Sequence, residues 1–132
     1  MKTEAFLLCD AATDSQGKLN ILGAFDSIFA REMPVAHRLC AVALRMRFAG
    51  TETGDHKIKI SIIDADGKSI IPDMDGNIGI KTNDETASRA VNLILNIQGL
   101  KLQKFGEYRI DAAINGRHEA SLPFYVRKMK IP

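Results

Sequence analysis

The chain has 132 residues, 45% of them hydrophobic and 26% charged, the composition of one ordinary soluble domain over residues 1–132 that can bury a core without disulfides or metal. Eighteen basic against 16 acidic side chains leave a net charge of only +2, which speaks against nucleic-acid binding and against attachment to a membrane surface. Six Phe, two Tyr and no Trp offer little for stacking, and no apolar run approaches the ~20 residues of a membrane span.

From the N-terminus, Met1–Asp10 lacks the charged start, long apolar run and cleavage site of a secretory signal, so the expected compartment is the cytoplasm. Short apolar segments follow at Ala5 to Cys9, Leu19 to Leu22 and Ala24 to Ala30. Cys9 and Cys40 form no Cys-x-x-Cys pair, and each lies in an apolar stretch, where a free cysteine behaves as a small buried hydrophobe. Period-2 alternation then dominates. Cys40, Val42, Leu44, Met46 and Phe48 form one inward row, Ile58, Ile60 and Ile62 a second. Val91, Leu93, Leu95 and Ile97 form a third, Tyr108, Ile110, Ala112 and Ile114 a fourth. These are the patterns of half-buried antiparallel strands.

Turn chemistry separates the rows: Asp14-Ser15-Gln16-Gly17, Thr53-Gly54-Asp55, Asp64-Ala65-Asp66-Gly67, Asp73-Met74-Asp75-Gly76 and Asn115-Gly116. Residues 82–90 are the longest polar stretch and read as a loop or a single helical turn. About eight strands so punctuated predict an all-β fold, a single antiparallel β-sandwich of immunoglobulin-like general architecture. Tyr108 begins a strand just after Gly106, where such sandwiches place a tyrosine that bonds to upstream backbone and fixes a corner.

The last hairpin poses a register question. A two-residue Asn115-Gly116 turn sets Ile110 opposite Ser121 and Tyr108 opposite Pro123, mixing apolar with polar on one face. A three-residue loop with Gly116 left-handed at a bulge pairs Tyr108 with Leu122, Ile110 with Ala120 and Ala112 with His118, and is the register expected. It places Asp111 opposite Glu119 on the outer face, with Arg109 or Arg117 as the compensating charge.

Cys9-Asp10, the run Gly17-Lys18-Leu19-Asn20-Ile21-Leu22-Gly23-Ala24-Phe25-Asp26, the stretch Asn92 to Gln98, Phe105-Gly106-Glu107-Tyr108, Gly116-Arg117 and Ser121-Leu122-Pro123 together resemble a family of small, uncharacterised bacterial proteins classed as a domain of unknown function. The resemblance implies a compact β-sandwich. It brings no established activity and no catalytic residue.

The residues themselves point away from catalysis. There is no Gly-x-Ser-x-Gly elbow, and no serine stands beside a histidine and an acid in a recognisable motif. His37, His56 and His118 lack zinc-ligand spacing. The two Asp-x-Asp-Gly units look like calcium loops, but glycine directly follows the second aspartate, which is not the EF-hand register. They read as turns, and Asp64, Asp66, Asp73 and Asp75 are weak cation candidates only if both loops meet at one end of the sandwich. No cofactor is implied. Charge is uneven: residues 50–88 carry four basic and eight acidic side chains, residues 89–132 eight and three, which reads first as a solvated surface with accidental asymmetry and second as a polarity suited to head-to-tail association or to steering an anionic partner.

Two outer rows stand out. Asn92, Asn96 and Gln98 flank Ile94 on the outer side of an apolar strand, where asparagine is disfavoured. Leu39, Ala41 and Ala43 make an apolar outer face before Arg45 and Arg47 turn it polar. Such faces call for cover by another element or another subunit. The expected function is therefore non-catalytic protein association, self-association included. The alternative is a small ligand or metal bound by loops at one end, or a ligand at the Asn92/Asn96/Gln98 row.

Overall fold

The computed structural model describes residues 1–81 and 84–130, and among these every regular element is a β-strand. The strands are β1 (Lys2–Ser15), β2 (Lys18–Ala24), β3 (Ser27–Ala30), β4 (Val35–Phe48), β5 (Gly54–Asp64), β6 (Met74–Ile80), β7 (Arg89–Leu102), β8 (Gly106–Ile114) and β9 (Arg117–Lys128). They form a four-stranded sheet of order β2-β1-β4-β7 and a five-stranded sheet of order β3-β9-β8-β5-β6. Inward rows from both sheets meet in one core: Leu8, Val42, Leu44, Met46 and Phe48 from the first, Ile58, Ile60, Ile62, Ile110, Phe124 and Val126 from the second. The result is a two-layer, sandwich-like all-β fold.

Among the described residues the strands number nine rather than about eight, and the sandwich is not purely antiparallel: β3 runs parallel to β9. The chain changes sheets just before β3. Phe25 N–H still donates to Leu8 O in the first sheet, and one residue later Asp26 O accepts from Tyr125 N–H in the second. The apolar segment Ala24 to Ala30 is thus a corner, not one strand. A further strand, β6, begins inside Asp73-Met74-Asp75-Gly76. Asp75 pairs with Lys59 and Gly76 with Ile58, so this unit is no turn. Asp64-Ala65-Asp66-Gly67 does turn, with Asp64 Oδ1 accepting from the N–H groups of Asp66 and Lys68. Of the polar stretch 82–90, Thr82 and Asn83 lie outside the described residues. A turn at Asp84–Ala87 follows, and Arg89 already belongs to β7.

The β8–β9 hairpin follows neither register weighed from sequence. Ile114 pairs with Arg117 across a two-residue Asn115-Gly116 turn, with φ of +52° and +79°, the conformation this dipeptide favours. A bulge between Ala112 and Ala113 then absorbs one extra residue of β9, Glu119. Beyond it Ala112 faces Ala120, Ile110 faces Leu122 and Tyr108 faces Phe124. The bulge restores apolar-to-apolar pairing that the turn alone would have lost. Asp111 consequently faces Ser121, not Glu119, and the like-charge pair never forms.

The first sheet bends sharply. The β4–β7 register is continuous, His37 facing Leu100 and Cys40 facing Ile97. Yet the inward row changes phase in both strands between those pairs, so Arg38–Leu39 and Gln98–Gly99 are matched insertions. Glu4 makes a third irregularity, a bulge in β1 opposite Arg45 and Met46.

Candidate functional site

The outer face of the four-stranded sheet holds most of the residues singled out from sequence. Cys9, Ala41 and Ala43 are wholly buried there, with Ala12, Leu19, Ile21 and Ile94 packed over them. Their cover is the β1–β2 hairpin, which extends beyond β4's end of β1 and curls back over its own sheet. Its turn reaches β4 and β7: Gly17 O accepts from the Arg45 guanidinium at 3.1 Å and from Asn92 Nδ2 at 3.2 Å, and Asp14 Oδ2 also accepts from Asn92. Small residues on β4 let the hairpin lie this close.

Around the cover lies a polar network. Arg45 Nε donates to Glu4 Oε1 at 3.1 Å and its Nη1 to Asn92 Oδ1 at 3.0 Å. Arg47 Nε donates to Glu4 Oε2 at 2.8 Å and its Nη1 to Ser88 Oγ. The bulge at Glu4 aims one carboxylate at two guanidinium groups two residues apart. Sequence periodicity could not find Glu4, because a bulged residue belongs to neither row. Asn96 and Gln98, farther along β7, are exposed and make no side-chain hydrogen bond among the described residues, and Leu39 is 48% exposed at the bend.

Glu4, Glu52, Asp84 and Asp111 have lowered pKa values, and the first and last belong to the clusters on the two outer faces. Arg47, with Arg45, holds Glu4 below its ordinary 4.5. Burial pushes Asp111 up, but hydrogen bonds from Ser121 and Arg109 outweigh it and hold the group below its ordinary 3.8. A carboxyl whose folded pKa is depressed stabilises the fold above its unfolded pKa and loses that contribution as pH falls through its folded one. Stability should thus be level above about pH 5 and decline progressively below the ordinary carboxylate values. Urea denaturation across that range checks this, with Glu4→Gln expected to show a shallower acid slope. An unaltered slope in the variant would remove Glu4 from the account.

A second cluster sits on the outer face of β8 and β9. Ser121 Oγ donates to Asp111 Oδ1 at 2.6 Å and lies 3.2 Å from His118 Nε2, while Arg109 Nε donates to Asp111 at 2.9 Å. The types are those of a hydrolytic triad, but the order is not. Here serine bridges the acid and the histidine, whereas a nucleophile needs histidine in the middle to take its proton. Sequence reasoning missed the cluster because the bulge at Glu119 brings Ser121 opposite Asp111.

At the corner where the chain changes sheets, Asp10, Gly23, Ala24, Phe25, Ser27, Ile28, Phe29 and His37 line an open cleft of about 360 Å³. The His37 and Phe25 rings lie 5.8 Å apart, and His37 Nε2 is buried with no hydrogen-bond partner among the described residues. Nothing in the sequence joins Asp10 to His37; the β1–β4 pairing and the corner do. Elsewhere the cation candidates divide. Asp64 caps its own turn, Asp66 accepts from Lys104 Nζ at 3.1 Å, Asp73 immediately precedes β6, and Asp75 lies within it. Among the described residues no group of three or more His, Cys, Asp or Glu side chains is placed to hold a metal. Tyr108, buried against Phe124, donates its hydroxyl to Lys104 O at 2.6 Å beside Gly106, whose φ is +129°.

One family model matches residues 4–127, which include every stretch on which the sequence resemblance rests. The chain belongs to the family of unknown function DUF6941. No curated protein matches it. Among solved structures, the fold of this DUF6941 chain is similar to part of a β-glucosidase from Listeria innocua in complex with isofagomine, at 10% identity and a TM-score of 0.50. That match covers 95% of this chain but only 16% of the glucosidase. The alkylpurine DNA glycosylase AlkC of Pseudomonas fluorescens, bound to DNA containing an abasic site analog, matches at 11% identity and a TM-score of 0.44, with 96% of this chain and 30% of that one covered. The chain therefore spans a minor part of the proteins it resembles in shape. No helix among the described residues is long and apolar enough to cross a membrane.

Proposed function

We propose that the protein is a non-catalytic assembly module that associates with copies of itself through an open sheet edge. The observation that carries this reading is β7. It closes one side of the four-stranded sheet with 14 residues, pairs only with β4, and receives no backbone hydrogen bond on its other side among the described residues. Natural edge strands are usually short, interrupted by proline or guarded by lysine. Between Arg89 and Lys101 this edge has no charge and no proline. Its inward residues Val91, Leu93 and Leu95 pack on the core but stay half-exposed, unlike the central rows.

An immunoglobulin-like reading of the sandwich has the Tyr108 corner in its support, and the free, buried thiols of Cys9 and Cys40 favour a reducing, cytoplasmic setting. The order of the Asp111–Ser121–His118 contacts favours a structural role for that cluster. Multi-angle light scattering over a concentration series tests self-association. The mass should rise toward twice the monomer with concentration, and a strict monomer throughout overturns the reading.

A second reading rests on the corner cleft. An orphaned buried ring nitrogen and a carboxylate beside an aromatic wall suit a small polar ligand that donates hydrogen bonds. A thermal-shift screen of amines and other polar metabolites tests it, since a ligand of the folded state raises the melting temperature by mass action.

A further inference from the structure

We infer that β7 pairs antiparallel with β7 of a second copy of this chain, about a two-fold axis through Ile94, joining the two four-stranded sheets into one of eight strands. The inference rests on the self-association reading and adds to it the surface, the register and the symmetry.

Val91-Asn92-Leu93-Ile94-Leu95-Asn96-Ile97 reads the same in both directions, apart from valine exchanged for isoleucine at its ends. A two-fold axis sets residue i of one copy opposite residue j of the other with a constant sum. Through Ile94 it places Ile94 opposite Ile94, Leu93 opposite Leu95, Asn92 opposite Asn96 and Val91 opposite Ile97. Residues directly opposite in an antiparallel pair share a face, so aliphatic side chains extend the inner layer and amides meet on the outer one. Asn96, exposed and with no side-chain hydrogen bond among the described residues, would come beside Asn92 of the second copy.

Other registers fit worse. A slip of one position in the pairing sum sets inward residues opposite outward ones. Moving the axis to Leu93 or Leu95 keeps the faces but puts Asn92 or Asn96 opposite Ile94. The axis through Ile94 also meets no like charges, since Arg89 falls opposite Gly99. The matched insertion at Gln98–Gly99, with Gly99 at φ +64°, ends the regular segment near where that pairing would stop. A foreign strand could use the same free backbone groups, but the palindrome gives this strand its best complement in itself.

Two variants read the register. Ile94→Cys puts a thiol on the axis, and mild oxidation should convert most of the protein to a covalent dimer on a non-reducing gel. The wild type should stay single under the same treatment, because Cys9 and Cys40 are buried and desolvation pushes the Cys40 thiol up to about 11. Since Ile94 packs beneath the β1–β2 hairpin, exposed Gln98→Cys carrying a nitroxide provides an independent ruler. The two labelled positions should be about 27 Å apart along the strands, and each one-residue shift of the axis changes that by about 7 Å. A dimer by light scattering with no Ile94→Cys cross-link and a Gln98 spacing far from this value overturns the β7 register and leaves self-association standing. A strict monomer removes both.

Discussion

Phe124→Ala should lower the stability of the fold by about 3–5 kcal/mol, the usual cost of emptying a fully buried aromatic site. Phe124 is completely enclosed, and its ring stacks on Tyr108 at 5.2 Å, directly opposite it in the β8–β9 register. Its loss removes core volume between the sheets and also the ring that supports Tyr108, whose hydroxyl holds the turn before β8 through Lys104. Tyr108→Phe separates the two effects. It keeps the stacked ring and deletes only the hydroxyl bonds, so it should cost about 1–2 kcal/mol. A domain of ordinary stability, about 5–15 kcal/mol, survives the second change and is left marginal by the first. Urea denaturation with an unchanged m-value measures both. A Phe124→Ala cost no larger than that of Tyr108→Phe would mean that the core between β8 and β9 is not packed as described.

That pairing also marks where sequence stops being informative. The inward rows of β4, β5, β7 and β8 are legible because alternation has one cause, burial of one face. What alternation cannot carry is any residue inserted into it. The hairpin offered a choice between turn chemistry at Asn115-Gly116 and matched faces, and the fold satisfies both by bulging Glu119. Similarly, Asp10 to Ser15 carries too little apolar signal to read as strand, yet pairing with β2 makes it one. At Asp73-Met74-Asp75-Gly76 a strong turn signal loses to pairing with β5, where Lys59 meets Asp75 and Gly76 lies against Ile58. The apolar outer face at Ala41 and Ala43 was visible as a face needing cover. That the chain's own β1–β2 hairpin supplies it depends on the curl of the sheet, which no local pattern encodes. The same holds for the cleft, because Asp10, Phe25 and His37 meet only through the corner between the two sheets.

Gly23→Ala is expected to strike that corner, at a cost of about 1–3 kcal/mol. Gly23 lies between the paired residues Leu22 and Ala24, across from Asp10, with φ of +67°. An alanine in this left-handed region costs roughly 1–2 kcal/mol wherever it occurs. Here the added methyl also overlaps the Asp10 carboxylate and would sit 3.3 Å from Asp10 Cβ, far inside the ordinary cross-strand spacing of about 4.5–5.5 Å. The backbone part of the cost cannot be relieved, but the overlap with the carboxylate can, because Asp10 is exposed and its carboxylate can swing away. A double-mutant cycle separates them. Asp10→Ala alone should be nearly neutral, and Gly23→Ala in that background should lose the overlap with the carboxylate but retain the backbone part and the close approach of the two Cβ atoms. Full additivity would mean that the contact with Asp10 contributes nothing. If the corner cleft does bind a polar ligand, displacing the carboxylate should also abolish the thermal shift that ligand produces in the wild type, while Ile94→Cys leaves that shift intact.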